Sequence, residues 1–383
     1  MKMSIVYILG AGASHGDTLK SLHESQLPPK TARIPLATGF FDPVFLRQVD
    51  YEFPALRNDY PQAFEYIMRI LGLPEPNRED VLDFWKKTDL EQVFTALEFD
   101  REFWGFESDY GAKCILARNN LQRLLFRLLA LPTHGAYGEN ARQLVRSLAP
   151  DDSVITFNWD LLIDQEFQSD HDADGPQHYS NFIMSALEGN GGMAVDYGPN
   201  SVRGVYLKMH GSMNWFQCIN RRCPANQGLV LWKQTQHSLL RLMGAHWANE
   251  TCTRCGSMTE PLIIPPLLRK PIAENWIVRS TWGLAHKKLL AAHVAVIIGF
   301  SFPPTDFAAQ WLLHSTLGLQ SSVSVFVVNP DNGNQSFRKK MASLFPRHVN
   351  LDFTSVAQLP QIIDVAKRLE PERIEERRRL GVV

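Results

Sequence analysis

Two glycines one residue apart close the first apolar run of the chain, in Gly10-Ala11-Gly12-Ala13-Ser14. Glycine lets the backbone turn sharply and lets a phosphate approach main-chain N–H groups with no Cβ in the way. The turn therefore has the chemistry of a dinucleotide loop, although it lacks the third glycine of GxGxxG and a plain tight turn has the same look. Polar groups stand just past four later apolar runs: Asn158 and Asp160 in Thr156-Phe157-Asn158-Trp159-Asp160, His210 before Gly211, Ser301 in Gly299-Phe300-Ser301, and Asn329 before Pro330. A neutral imidazole suits general-base work near pH 7. At single positions other readings stand: Asn158 as a helix cap, His210 as a structural histidine, Asn329 as the start of a turn.

Four of the five cysteines form a second group. Cys218 and Cys223 make one close pair; Cys252 and Cys255, followed by Gly256, make another. Two such pairs can converge on one tetrahedral Zn²⁺, and four thiolates leave no open position for catalysis, so the role would be structural. The wide spacing of the first pair is the weaker half of this signal, and four free thiols are the alternative. Cys114 falls on the apolar side of a helical pattern and reads as core.

These groups need elements to hold them. Ile5 to Leu9 is apolar without a break, as in a strand buried on both faces of a parallel sheet. Val154–Phe157, Val205–Met209, His293–Gly299 and Ser324–Val328 read as further strands, alternating with helical patterns that include 276–292 and 307–317. That alternation predicts an α/β chain with a Rossmann-like, doubly wound parallel sheet, whose strand C-termini share one edge. The glycine turn, an amide, an imidazole, a Gly-Phe-Ser turn and a second amide would then surround one cleft.

Other segments fill out this frame. Residues 17–38, with Pro28, Pro29 and Pro35, read as a long loop over the end of the first strand and as a candidate lid. Asp42 and Pro43 suit the start of a helix. Residues from about 60 to 131 read as a helical insertion. Its apolar stripes are Phe64, Ile67, Met68 and Leu71; Leu90, Val93, Phe94 and Leu97 behind Asp89; and Ile115, Leu116, Leu121, Leu124, Leu125, Leu128 and Leu129. Residues 168–200 read as an irregular loop. The cysteine module spans about 215–260, and Pro261, Pro265 and Pro266 mark an edge segment after it. One large domain over 1–365 is expected, with 366–383 as a charged C-terminal helix or tail.

Composition bounds the partners. In 383 residues, 45% are apolar and 21% charged, with a formal net charge of -1. That is ordinary for a globular protein, and it provides no overall field for nucleic acid or a membrane surface. No signal peptide and no apolar run of about 18 residues is found, so a cytoplasmic location is expected.

Taken together, the motifs resemble the sirtuin superfamily over most of the chain. Gly10–Ser14 is similar to its pyrophosphate loop, Thr156–Asp160 to its (T/Q)-x-N-x-D motif, and His210-Gly211 to its catalytic HG. The four cysteines resemble its zinc ribbon, Gly299-Phe300-Ser301 its G(T/Y)S segment, and Asn329 its adenosine-ribose asparagine. The departures favour one branch. The deacylases' G-I-P-D-F-R run is absent, and their peptide clamps are replaced by Ile264-Pro265-Pro266 and Ser301-Phe302-Pro303-Pro304-Thr305-Asp306. Prolines cannot donate the ladder bonds that a strand-like peptide needs. The chain looks instead like the sirtuin-like NAD⁺ hydrolases of bacterial anti-phage defence, several of which work with a sensing partner such as a HerA-type ATPase.

That resemblance implies NAD⁺ as substrate and Zn²⁺ as structural ion. Gly10, Ala11, Gly12, Ala13 and Ser14 would grip the pyrophosphate. Asn158 would orient the nicotinamide ribose or the attacking water, His210 would act as general base, and Asp160 would bond the nicotinamide amide. Gly299, Ser301 and Asn329 would serve the adenosine half. Depleting NAD⁺ harms the host, so restraint by a homo-oligomer, a partner ATPase or a lid is implied. The rival readings are a protein-lysine deacylase and a non-catalytic NAD⁺ or ADP-ribose sensor.

Overall fold

The computed structural model describes residues 4–21, 33–37, 39–42, 44–45, 58–70, 72, 88–105, 107–130, 132–133, 136–169, 205–218, 220, 222–223, 229–231, 252, 255–265, 267, 272, 275–347 and 349–380. The expectations placed on 22–32, 38, Pro43, Leu71, 131, 170–200, 232–251, Pro266 and 381–383 lie outside the described residues.

In chain order the elements are β1 (Ile5–Leu9), the short helix α1 (Ala11–His15), β2 (Leu19–Ser21), and the helices α2 (Pro61–Ile70), α3 (Leu90–Trp104) and α4 (Asp109–Ala130). Then come β3 (Ala136–Gly138), α5 (Glu139–Ser147), β4 (Ser153–Thr156), α6 (Leu162–Ser169), β5 (Val205–Lys208), β6 (Gly211–Cys218), β7 (Leu229–Leu231) and β8 (Thr259–Ile263). The last are α7 (Trp276–Ala291), β9 (Val294–Ile298), α8 (Phe307–Leu313), β10 (Ser324–Val328), α9 (Gln335–Leu344), β11 (Val349–Asn350) and α10 (Leu359–Arg379).

Six strands form one sheet in the order β11-β10-β9-β1-β4-β5, and every pairing is parallel. Numbered along the chain these six run 3-2-1-4-5-6, the Rossmann order, in which the winding reverses between the first and fourth strands. Here that switch point lies between β1 and β9. The unbroken apolar run of β1 has its cause in this position. Ile5, Tyr7 and Leu9 enter one core cluster, while Val6 and Ile8 enter another on the opposite face. Strand side chains alternate faces, so a strand covered on both sides must be apolar throughout.

The helical insertion packs around α4. Phe64, Ile67 and Met68 of α2 and Leu90, Val93, Phe94 and Leu97 of α3 are buried as expected. Leu116 differs: it is 50% exposed, and the buried stripe of α4 runs through Cys114, Ala117, Leu121, Leu124, Leu125, Leu128 and Leu129. Cys114 is fully buried against Tyr66, Leu97 and Ala117. Asp17 ties the end of α1 to α5 by accepting the N–H groups of Asn140 at 2.8 Å and Ala141 at 2.9 Å. Burial nevertheless pushes its carboxyl above the usual carboxylate range.

The cysteine module is a three-stranded antiparallel sheet, β7-β6-β8, and Pro261 sits in the edge strand β8 opposite Phe216. At the C-terminus, α10 begins at Leu359 and runs through the segment expected to stand apart from 366 onward. Ile362, Ile363, Ala366 and Ile374 are buried, and Arg373 donates to the Ser324 hydroxyl at 2.7 Å. An apolar stripe at helical spacing inside a charged segment is what docks it. Among the described residues, no helix is long and apolar enough to cross a membrane.

Candidate functional site

The C-terminal ends of β1, β4, β5, β9 and β10 open into one cleft of about 580 Å³, within the range of small-molecule and cofactor sites. Ala11, Gly12, Asn158, Asp160, His210, Gly299, Ser301 and Asn329 line it together. Gly10, Ala13 and Ser14 are not among the residues that line it. A crevice at the switch point of an open α/β sheet is where such folds bind ligands.

Backbone packing between two turns explains the glycines. Gly10 donates its N–H to the Ile298 carbonyl at 3.0 Å, and Gly12 donates to the Gly299 carbonyl at 2.8 Å. A Cβ on Gly10 would lie 2.6 Å from Phe300 Cα, and one on Gly12 would lie 2.7 Å from the Gly299 oxygen. Gly299 has φ +61°, and its Cβ would come within 2.1 Å of the Ala13 nitrogen. The sequence reading assigns these N–H groups to a phosphate; in the structure, those of Gly10 and Gly12 lock the β1 turn to the β9 turn. The turn continues in an uncommon conformation at Phe302, a non-glycine residue at φ 55° whose ring is fully buried beside Phe300 and Phe345.

Asn158 reaches across to this turn. Its Nδ2 donates to the Gly10 carbonyl and to Ser14 Oγ, both at 3.0 Å. The Ser14 hydroxyl in turn donates to Asp160. With both amide hydrogens committed, Oδ1 is the acceptor that Asn158 can offer a ligand. The helix cap at this turn is Asp160, whose Oδ1 accepts the Leu162 N–H at 3.0 Å. Burial raises the Asp160 carboxyl above its ordinary range, against the opposing pull of Lys208, the Leu162 N–H and Ser14. Lys208 stands beneath, fully buried, donating to the Asp160 carbonyl at 2.6 Å and to Asp164 at 2.9 Å.

His210 follows β5 and is 5% exposed. The Phe157 ring meets it edge-on at 5.2 Å, and the Trp282 ring lies at 6.3 Å. Trp282 is itself pinned through its indole N–H to the Met209 carbonyl at 2.8 Å. Nε2 of His210 lies 3.8 Å from Oδ2 of Asp306, which is buried at the start of α8. Asn329 serves the frame as well: Oδ1 accepts the Asp331 N–H at 2.9 Å and Nδ2 donates to the Phe300 carbonyl at 3.2 Å. It therefore starts a turn and also lines the cleft.

Two features go beyond the sequence reading, the helical insertion and the charge of the lining, and a third concerns the loop read as a lid. The helical insertion enters the site through Asp89, Leu90 and Glu91 at the N-terminus of α3, and Thr305 donates to Glu91. Ile34, Pro35, Leu36 and Ala37, from the loop read as a lid, line the cleft. Charge is one-sided: Asp89, Glu91, Asp160, Asp306 and Asp331 line the cleft, and among the described lining residues there is no lysine or arginine. Asp89 carried a visible signal, a cap before an apolar stripe, and its side chain accepts the Glu91 N–H at 2.6 Å. Its place in the cleft is set by packing distant in sequence.

The four cysteine sulfurs lie within 4.8 Å of one another, with Cys218 to Cys255 at 3.5 Å and Cys223 to Cys252 at 3.7 Å. A tetrahedron with Zn–S bonds of about 2.3 Å has edges of about 3.8 Å, so the donor set fits zinc. Cys218, Cys223 and Cys252 are buried. The Ser257 hydroxyl and N–H pull the Cys255 thiol down to about 6, while burial pushes Cys218 up to about 12.

Neither a protein-family model nor a curated protein matches the chain. Among solved structures it is similar to a Sir2 enzyme from a study of the mechanism and regulation of Sir2 enzymes, with TM-score 0.40, 14% identity, and coverage of 96% of this chain and 93% of that one. It is also similar to a Sir2 homolog in complex with NAD, with TM-score 0.39, 14% identity, and coverage of 96% and 90%. A third is Sir2 bound to the inhibitor EX-527, 2'-O-acetyl-ADP-ribose and a deacetylated p53 peptide, with TM-score 0.34, 14% identity, and coverage of 96% and 93%.

Proposed function

We propose that this protein is an NAD⁺ hydrolase that releases nicotinamide and ADP-ribose. The observation that carries the reading is the meeting of Asn158 and His210 on one cleft at the switch point of the sheet, beside the Gly10–Ser14 turn. In this reaction the bond from the ribose C1' to the nicotinamide nitrogen breaks, and its electron pair leaves with nicotinamide. A water oxygen bonds to C1', and the proton it loses passes to His210 and then to solvent. Positive charge spreads over the ribose as the bond breaks. A cleft lined by carboxylates and free of lysine and arginine among its described residues favours that charge, and equally the cationic nicotinamide of the substrate.

In this reading Asn158 orients the ribose or the water through Oδ1, and Asp160 meets the nicotinamide amide. Ala11 and Gly12 face the pyrophosphate, and Gly299, Ser301 and Asn329 take the adenosine half. Pro265 argues against a peptide substrate. The Ile264 N–H beside it is committed to the His210 carbonyl at 2.8 Å, so this edge has little left to offer an acyl-lysine strand. The zinc would be held by Cys218, Cys223, Cys252 and Cys255 and would stabilise the β6–β8 module, outside the reaction. The likeness of the Thr156–Asp160 and Gly299–Asp306 motifs to defence NAD⁺ hydrolases extends the reading to an NAD⁺-depleting effector, restrained by self-association or by a partner ATPase.

The deciding experiment incubates the purified protein with NAD⁺ alone and separates nicotinamide and ADP-ribose by chromatography, with and without an acetyl-lysine peptide. Nicotinamide release independent of peptide is expected. Release only with peptide would make the protein a deacylase, and binding without release would make it a sensor.

A further inference from the structure

We propose that Asp306 is a positioning residue for His210: its carboxylate accepts the Nε2–H of the imidazole and so fixes the tautomer and orientation of the ring in the cleft. The two residues come from different strand ends, His210 after β5 and Asp306 before α8. Both line the cleft, and they are 5% and 4% exposed, so the pair is shielded from bulk water. Nε2 and Oδ2 are 3.8 Å apart, longer than a hydrogen bond, and closure by about 1 Å forms one. Catalytic hydrogen bonds are often long without substrate and tighten when it binds.

The frame points the same way. Asp306 stands at the N-cap of α8, which fixes its backbone beside the cleft. The turn before it is braced, since the Phe302 and Pro303 carbonyls both accept from Gln310, the latter at 2.6 Å. On the imidazole side, Phe157 and Trp282 restrict the ring to a narrow range of tilt. An imidazole clamped by aromatic rings, with a buried carboxylate beside one nitrogen, has its tautomer set by that carboxylate. The carboxylate also stabilises the imidazolium that forms when the other nitrogen is protonated.

This inference rests on the hydrolase reading only for its kinetic half, so the test has two arms. In the first, ¹⁵N-histidine-labelled protein is examined by NMR, and the His210 signals are identified by their loss in His210→Ala. The neutral ring is expected as the Nε2–H tautomer in the wild type, more completely than in a free histidine side chain, and that excess is expected to be lost in Asp306→Leu. An Nδ1–H tautomer in the wild type, a wild-type ring with no excess over free histidine, or an excess unchanged in Asp306→Leu would overturn the proposal. Asp306→Ala, which has no acceptor on its side chain, serves if the leucine variant does not fold.

In the second arm, Asp306→Leu is expected to lower kcat by about 10²-fold with KM within about twofold, and Asp306→Glu to recover part of the loss. In a His210→Ala background the same change is expected to do nothing further. Independent, multiplying losses in the double variant would overturn the coupling. A wild type that releases no nicotinamide would overturn the hydrolase reading alone, and the tautomer measurement would still decide the role of Asp306.

Discussion

Gly299 and Gly12 touch backbone to backbone: the Gly12 N–H donates to the Gly299 carbonyl at 2.8 Å, and a Cβ on Gly299 would lie 2.3 Å from the Gly12 carbonyl carbon. This contact joins the two turns on either side of the switch point, so the cleft inherits its shape from a site with no room for a side chain. Gly299→Ala adds the cost of φ +61° to a clash with backbone that cannot swing aside. A loss of at least about 2 kcal/mol is expected in a urea melt. Gly333→Ala, where a Cβ meets nothing within 4 Å, is expected to stay within about 0.5 kcal/mol of the wild type.

Asn158→Ala separates a structural bond from a chemical one. The variant loses the bonds to the Gly10 carbonyl and Ser14 Oγ, worth about 1 kcal/mol each. It also loses Oδ1 in the cleft, for which a fall in nicotinamide release of about 10²-fold or more is expected. Folded protein that retains wild-type turnover would remove Asn158 from the chemistry.

Much of this site was legible because apolar runs end abruptly. Ile5–Leu9, Val294–Ile298 and Ser324–Val328 each stop at the residue that enters the cleft or locks its wall, and a buried parallel strand leaves no other place for Gly10, Gly299 or Asn329. Asp306 and Glu91 were not legible as site residues. Each reads locally as a helix-start acid, and each meets the cleft only because the chain returns to the sheet from elsewhere. Asn158 shows the intermediate case. Its position at a strand end was readable, but its grip on Gly10 depends on β1 and β4 being neighbours in the sheet.

Metal content tests the cysteine module directly. Purified protein is expected to carry about one zinc per chain by elemental analysis. Cys252→Ser should lower both the zinc content and the melting temperature. Chelation should do the same to the wild type, because binding energy at such a site is folding energy. Unchanged melting after complete removal of zinc would mean that the thiols pack without needing the ion.

Lys208 and Asp164 form an ion pair with both side chains fully buried, joined at 2.9 Å, and the Tyr206 hydroxyl also donates to Asp164 at 2.7 Å. Lys208→Met strands the carboxylate in an apolar interior, for an expected loss of about 3–5 kcal/mol. Lys208→Met combined with Asp164→Leu should cost less than the single change, since no charge is left without a partner. Thermal melts of the three variants decide it, and additive losses would mean that the pair does not act as a unit.

The burial of the Asp160 carboxyl gives stability a pH dependence whose expected sign follows from desolvation. Burial raises it above its ordinary value of 3.8, so the folded state holds its proton more tightly than the unfolded chain does. The stability this confers is present at low pH and is lost as pH rises through the folded-state value. Asp160→Asn cannot titrate and has the same shape. The stability of the wild type minus that of Asp160→Asn should therefore fall as pH rises from about 4 toward neutrality. Urea melts at intervals over that range measure the slope. A difference that grows with pH would mean that Lys208 and the hydrogen bonds to Asp160 outweigh its burial.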